Sequence, residues 1–186
     1  MWALCSPEAV GHGRRREVCQ DVQTPGQEAA MRATEETVRE YLRAREIPDL
    51  ELLDEVVSEG FVHEMRGQQQ DRAGLFAEVN ALGKVFTDMR HEIGTLFSTG
   101  EQVACRYTLH ARHVGAMRLS APLAESYGAG WLPATDRTIR LPGMFIAIVR
   151  GGQLHTGWGE YDRLGLVTQL GVFESSAGGR PPQAVG

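Results

Sequence analysis

The chain has 186 residues, of which 42% are hydrophobic and 23% charged, and carries a formal net charge of -5. This length suits one domain that can bury a core without disulfides or metals, and the acidic balance argues against a general affinity for nucleic acid. No apolar run approaches the ~20 residues a spanning helix needs, and the opening MWALCSPEAV lacks a basic segment ahead of an apolar core. The sequence therefore indicates no membrane partner and a cytoplasmic location. Cys5, Cys19 and Cys105 form no CxxC pair, and their odd number suits reduced thiols, with Cys105 filling a strand.

Residues 1 to about 32 show no sustained period and contain the Arg14-Arg15-Arg16 run, so a disordered tail is expected there. Met31, just before the first periodic segment, is a candidate natural start. From Thr34, a hydroxyl at a plausible N-cap, Val38, Tyr41 and Leu42 share one helical face until Ile47-Pro48. Asp49 can cap a second helix carrying Leu52, Leu53, Val56 and Val57, with Gly60 beyond its end. Phe61 to Glu64 breaks the rhythm, and Gly67 with the following glutamines marks a polar loop. Asp71 can cap a third helix carrying Leu75, Phe76, Val79 and Leu82 and ending near Gly83.

The period then changes. Met89 to Ser98, Val103 to about His113, Thr138 to Val149 and Gln153 to Tyr161 are rich in branched, aromatic and threonine residues, and two of their junctions have hairpin-turn composition. Helices followed by antiparallel strands predict an α+β domain over residues 33–173, with three N-terminal helices covering one sheet face. Residues 115–136 form a long inserted loop, either a lid or interface or a simple surface excursion, since loops of this length are usually functional or mobile. Its apolar side includes Met117, Leu119, Tyr127 and Trp131. Residues 174–186 have the composition of a second disordered tail.

His110 and His113 are three apart on a strand and point to opposite faces, so no metal pair is expected of them. Dinucleotide, phosphate-loop and serine-hydrolase motifs are absent from the sequence. On the last strand Trp158, Glu160 and Asp162 share one parity. If that face lines a concavity, poor solvation would raise the pKa of Asp162 and suit it to proton transfer. The alternative makes Asp162 a cap that receives the backbone N–H of a residue such as Gly165. His63 is likewise open between a structural and a pocket role.

Four stretches resemble the SnoaL-like polyketide cyclases of the nuclear transport factor two-like superfamily: FVHEM, VFTDMRHEI, GEQVACRYTLHARHVG and WGEYDRLGLVTQLG. The resemblance implies a conical α+β barrel, in which a curled antiparallel sheet wraps an apolar cavity closed by the helices. It also implies no cofactor, an acid–base carboxylate matching Asp162, a pocket histidine matching His63, and a homodimer. By that resemblance Trp158, Tyr161, Tyr107, His113, Tyr127 and Trp131 are candidates for contact with an apolar, carbonyl-rich substrate. Ala111-Arg112 stands where the family has Gly-Thr, and MFIAIV offers no polar partner on the preceding strand. The expected function is aldol-type ring closure in a polyketide-derived molecule. Isomerase, hydratase or hydrolase chemistry at the same acid, or a non-catalytic binding or dimerisation module, are the alternatives.

Overall fold

A computed structural model of the chain describes residues 24–65 and 68–174. The expected tails, including the arginine run, Cys5 and Cys19, lie outside the described residues, apart from residues 24–32 and Glu174. Helix α1 spans Pro25–Glu46 and so begins well before Thr34. Pro25 has the φ that a first turn requires, and the side chain of Gln27 reaches back to accept the Thr24 N–H at 2.9 Å. Thr34 instead lies inside the helix and donates its hydroxyl to the Ala30 carbonyl at 2.8 Å.

Asp49 caps α2 (Leu50–Val56) by accepting the Leu52 N–H at 3.0 Å. That helix stops before Gly60 because Val57–Met65 forms strand β1. There Phe61 and His63 point inward and Val62 outward, the alternation of a half-buried strand. The expected glutamine loop is in fact strand β2 (Gln68–Asp71), antiparallel to β1 at the sheet edge. Asp71 then caps α3 (Arg72–Val85) through the Gly74 N–H at 2.8 Å. Gly83 does not end this helix. A Cβ there would collide with the Pro48 ring, so glycine is what lets α3 press against the α1–α2 turn.

Strands β3 (Phe86–Thr99), β4 (Gln102–His113), β7 (Thr138–Arg150) and β8 (Gln153–Tyr161) follow the predicted runs. The sheet order is β2-β1-β8-β7-β4-β3. Two features differ from the expected antiparallel barrel: β1 runs parallel to β8, and the curled sheet stays open between β2 and β3. The fold is α+β as the sequence implies.

Residues 115–136 are more than a loop. They form β5 (Met117–Arg118), α4 (Ala121–Tyr127) and β6 (Trp131–Leu132), and β5 and β6 pair as a ribbon. This flap buries Leu119, Tyr127 and Leu132 against Ile139, Leu141 and α5 (Arg163–Gln169), which holds Val167. Burial of such side chains stabilises by roughly 1.5–3 kcal/mol each. The flap is fastened at its base by Arg112, which reaches Asp88 at 3.3 Å and Asp136 at 2.9 Å. Both aspartates have φ of 55°, a left-handed conformation that aspartate tolerates better than most residues.

A separate core lies between the helices and the concave sheet face. Tyr41 stacks on Phe145 with ring centroids 5.0 Å apart, and Val38, Leu53, Phe61, Leu75 and Leu154 pack around them. No helix among the described residues is long and apolar enough to cross a membrane.

Candidate active site

The concave face of the sheet, α1 and α3 enclose a cavity of about 100 Å³. Its apolar wall comes from residues such as Leu82, Phe86, Leu109, Leu141 and Phe145, and its polar groups include Tyr41, Arg45, His63, Glu78, His91, Tyr107 and Tyr161. Strand parity explains the lining. On β4, Val103, Cys105, Ala111 and His113 are buried, and Tyr107 and Leu109 have the same parity and face the cavity.

On β8 the inward parity is Gly157, Gly159 and Tyr161, so the face carrying Trp158 and Asp162 is the outer one and does not line the concavity. Glycine is required at position 157. A Cβ at Gly157 would sit 2.8 Å from the Phe145 ring and 3.3 Å from that of His63. Gly143 has a similar task opposite Tyr107, whose ring lies 2.7 Å from where a Cβ would stand.

Of the predicted site residues, the fold brings His63, Tyr107 and Tyr161 together in the cavity wall. His63 is 1% exposed, with its ring 6.0 Å from that of Phe145 at near-perpendicular tilt. Asp162 is exposed and caps α5, its Oδ1 accepting the Gly165 N–H at 2.7 Å. It borders a shallow surface dip with Arg106, Met144 and Glu160 rather than the cavity. Trp158, 40% exposed, stands on the outer sheet face opposite Ile146. Tyr127 is buried inside the flap core, and Trp131 is exposed on the flap ribbon. His113 is fully buried against Phe86, and its Nδ1 accepts the Thr135 N–H at 3.2 Å, tying β4 to the flap.

Two charged pairs that the sequence alone did not single out bear on the cavity. Arg45 on α1 donates to Glu78 on α3 at 3.0 Å and to the Tyr41 hydroxyl at 3.2 Å. Burial pushes the Glu78 carboxyl up, but Arg45, Gln70 and His63 together outweigh it and the pKa falls below the usual value. Glu78 is thus a carboxylate, and the pair is a fixed dipole in the wall. The second pair is His91 on β3 with Glu46 at the end of α1. Glu46 Oε1 accepts the backbone N–H of His91 and lies 3.2 Å from its Nδ1.

Burial lowers the pKa of His91 below 6.5, and the Glu46 carboxylate only partly offsets this, so the ring is neutral at pH 7. On Glu46 the hydrogen bonds from His91 outweigh burial and hold the carboxyl below 4.5. A neutral imidazole facing a carboxylate at Nδ1 carries its proton there, which leaves the Nε2 lone pair as an acceptor. The imidazole and the Tyr107 ring are near-perpendicular, with centroids 5.0 Å apart. Burial pushes the Tyr107 hydroxyl up to about 12, so it remains a donor across the neutral range. Cys105, pushed up to about 11 by burial, stays a thiol.

The signal for His91 is present in the sequence as parity: on VFTDMRHEI it alternates with Met89 and Ile93, on the apolar side of the strand. Glu46 and Glu78 give no such signal, because each sits near the polar edge of a helix and only the tertiary packing turns it towards the site.

The sequence profile of the SnoaL-like polyketide cyclases matches residues 35–170. Among solved structures, the chain is similar to IdmH of Streptomyces antibioticus, a candidate polyketide cyclase, with 22% identity, 74% of this chain and 98% of that one covered, and a TM-score of 0.61. It is also similar to TsrD of Streptomyces laurentii, with 21% identity, coverage of 76% and 96%, and a TM-score of 0.62. AclR of Streptomyces galilaeus, a candidate hydroxylase, gives 18% identity, coverage of 76% and 97%, and a TM-score of 0.63. At these identities the likeness shows the fold. A comparison with curated proteins found no match.

Proposed function

The chain belongs to the SnoaL-like polyketide cyclase family, and on that premise we propose that it is an acid–base enzyme acting on an apolar, carbonyl-bearing small molecule held in the cavity. The observation that carries this reading is the His91 ring, held at Nδ1 by Glu46 in the cavity wall together with the donors Tyr107 and Arg45. His91 Nε2 takes a proton from the carbon next to a substrate carbonyl. The C–H electron pair moves into the enolate, whose oxygen is stabilised by the Tyr107 hydroxyl and the Arg45 guanidinium. The enolate carbon then attacks a second carbonyl, a C–C bond forms, and the imidazolium returns its proton to the new alkoxide. Glu46 is the positioning residue: it sets the tautomer and supports the transient imidazolium, as an orienting carboxylate does in a triad. His63, on the facing wall, orients the substrate oxygen.

Asp162 matches the family's acid and is the rival base. To act in the cavity it would have to leave the Gly165 N–H that holds it on α5. The two are separated by α-proton exchange of β-tetralone in deuterium oxide, followed by proton NMR. This reading expects exchange with wild type, a loss of about 100-fold or more in His91→Gln, and near-wild-type rates in Asp162→Asn. The opposite order would assign the base to Asp162. Exchange no faster than buffer with every variant would favour a non-catalytic binding module.

We also propose a homodimer formed through the outer sheet face. Cross-strand register aligns Phe97, Ala104, Ile146 and Trp158 in one row over four strands. Phe97, Ile146 and Trp158 are 57%, 47% and 40% exposed, with Met144 close by at 59%. An apolar row of this kind marks an interaction surface. Sedimentation should give twice the chain mass, and Ile146→Asp should give the monomer; a wild-type monomer at micromolar concentration would refute it.

A further inference from the structure

The inner cavity, at about 100 Å³, is smaller than the ~300–1,000 Å³ of ordinary ligand pockets. A groove of about 910 Å³ lies directly beside it, between the flap and α5. The two spaces share Tyr161 and Leu166, which line both and form the partition between them. The inner cavity suits the reacting ring end of a ligand, and a larger polycyclic molecule must extend from it into the groove.

The groove has a chemistry of its own. Its walls are amphipathic: Met117, Leu119 and Leu123 on the flap and Leu164 and Phe173 beyond β8 give apolar surface, and Gln68 and Ser120 interrupt it with polar groups. Its charged lining residues are Arg118 on β5 and Arg163 at the start of α5, and no acidic side chain among the described residues lines it. The ion pairs among the described residues engage Arg39, Arg45, Arg72, Arg112, Arg137 and Arg150, not these two. One arginine from the flap and one from α5, in a groove that also offers apolar surface, match a hydrophobic molecule that ends in a carboxylate.

We propose that the groove between the flap and α5 is a second binding site that holds the carboxylate-bearing part of an aromatic acid, with Arg118 and Arg163 as its anion contacts. This inference rests on the cavity reading above, since the reacting carbonyl end enters past Tyr161 and Leu166. The substrate class becomes a polycyclic keto acid rather than a neutral ketone, and Arg118 and Arg163 become specificity residues.

The test is calorimetric titration of the full chain with anthraquinone carboxylate and with its neutral hydroxymethyl analogue. The acid should bind about 3- to 10-fold more tightly, the range expected of exposed to half-exposed charge pairs, and added salt should shrink the difference. The double variant Arg118→Gln/Arg163→Gln should abolish that preference while binding of the neutral analogue stays unchanged. Arg118→Lys/Arg163→Lys should retain part of it. Unchanged circular dichroism and binding of the neutral analogue establish that the variants are folded. Equal affinity of wild type for the two compounds, or equal weakening of both in the glutamine variant, overturns the groove proposal and leaves the cavity reading standing. Failure of wild type to bind either compound overturns both.

Discussion

Replacing Glu46 with glutamine isolates the residue that makes His91 useful. The amide oxygen introduced by Glu46→Gln would still accept from the His91 backbone and ring, so shape is kept and charge is lost. Hydrogen bonds to a charged acceptor are worth about 1.5–3 kcal/mol and neutral ones about 0.5–1.5 kcal/mol. Glu46 Oε1 accepts two such bonds from His91 and is partly exposed, its side chain being 22% accessible. The expected loss of stability is therefore about 1–2 kcal/mol, read in urea as a lower midpoint with an unchanged slope. The ring follows a definite sign. Glu46 raises the His91 pKa against the lowering effect of burial, so its removal must lower that pKa further. Titration of the imidazole signals by NMR reads this directly. A His91 pKa that rises or stays fixed in Glu46→Gln would refute the pairing.

The pH dependence of the wild type follows from the same pair. The folded His91 pKa lies below its unfolded value, so the unfolded chain takes up the proton first, and stability present at neutral pH is lost as pH falls below about 6.5. β-Tetralone exchange should decline on that acidic side with a midpoint below 6.5, and a midpoint above it would count against His91 as the base. Gly157→Ala would place a Cβ 2.8 Å from the Phe145 ring; overpacking of this kind costs about 1–3 kcal/mol, and a crystal structure should show Phe145 displaced into the cavity with ligand affinity reduced. Asp162→Ala should cost about 0.5–2 kcal/mol in urea through loss of the α5 cap, whereas Asp162→Asn, which caps as well, should be nearly neutral. Equal losses in the two would mean that charge, not capping, is what Asp162 contributes to stability.

Much of the architecture is legible because local periodicity and packing agree. Val38, Tyr41 and Leu42 mark α1, Leu75 and Val79 mark α3, and all are buried as their spacing implies. The Asp49 and Asp71 caps hold because a short carboxylate ahead of an apolar run has one good use. The illegible parts depend on partners distant in sequence. Val57 reads as helical until β8 offers it a parallel strand, and the glutamines at 68–70 read as loop until β1 pairs with them. At the site, Tyr107 and Tyr161, which the structure places in the cavity wall, are legible from resemblance alone. The face of β8 that turns inward is not, because it is decided by how tightly Phe145 and His63 pack against Gly157. Arg45, Glu46 and Glu78 were hidden for a related reason: a charged residue on a helix looks solvated until another element covers it.

The central claim is that ligand and chemistry belong beneath the curled sheet rather than at the α5 cap. Backbone amide mapping by heteronuclear NMR during titration with β-tetralone tests this most directly. The largest shifts are expected at His91, Tyr107, Phe145 and Gly159, which line the cavity. Shifts confined to Arg106, Met144, Glu160 and Asp162, around the surface dip, would contradict the claim.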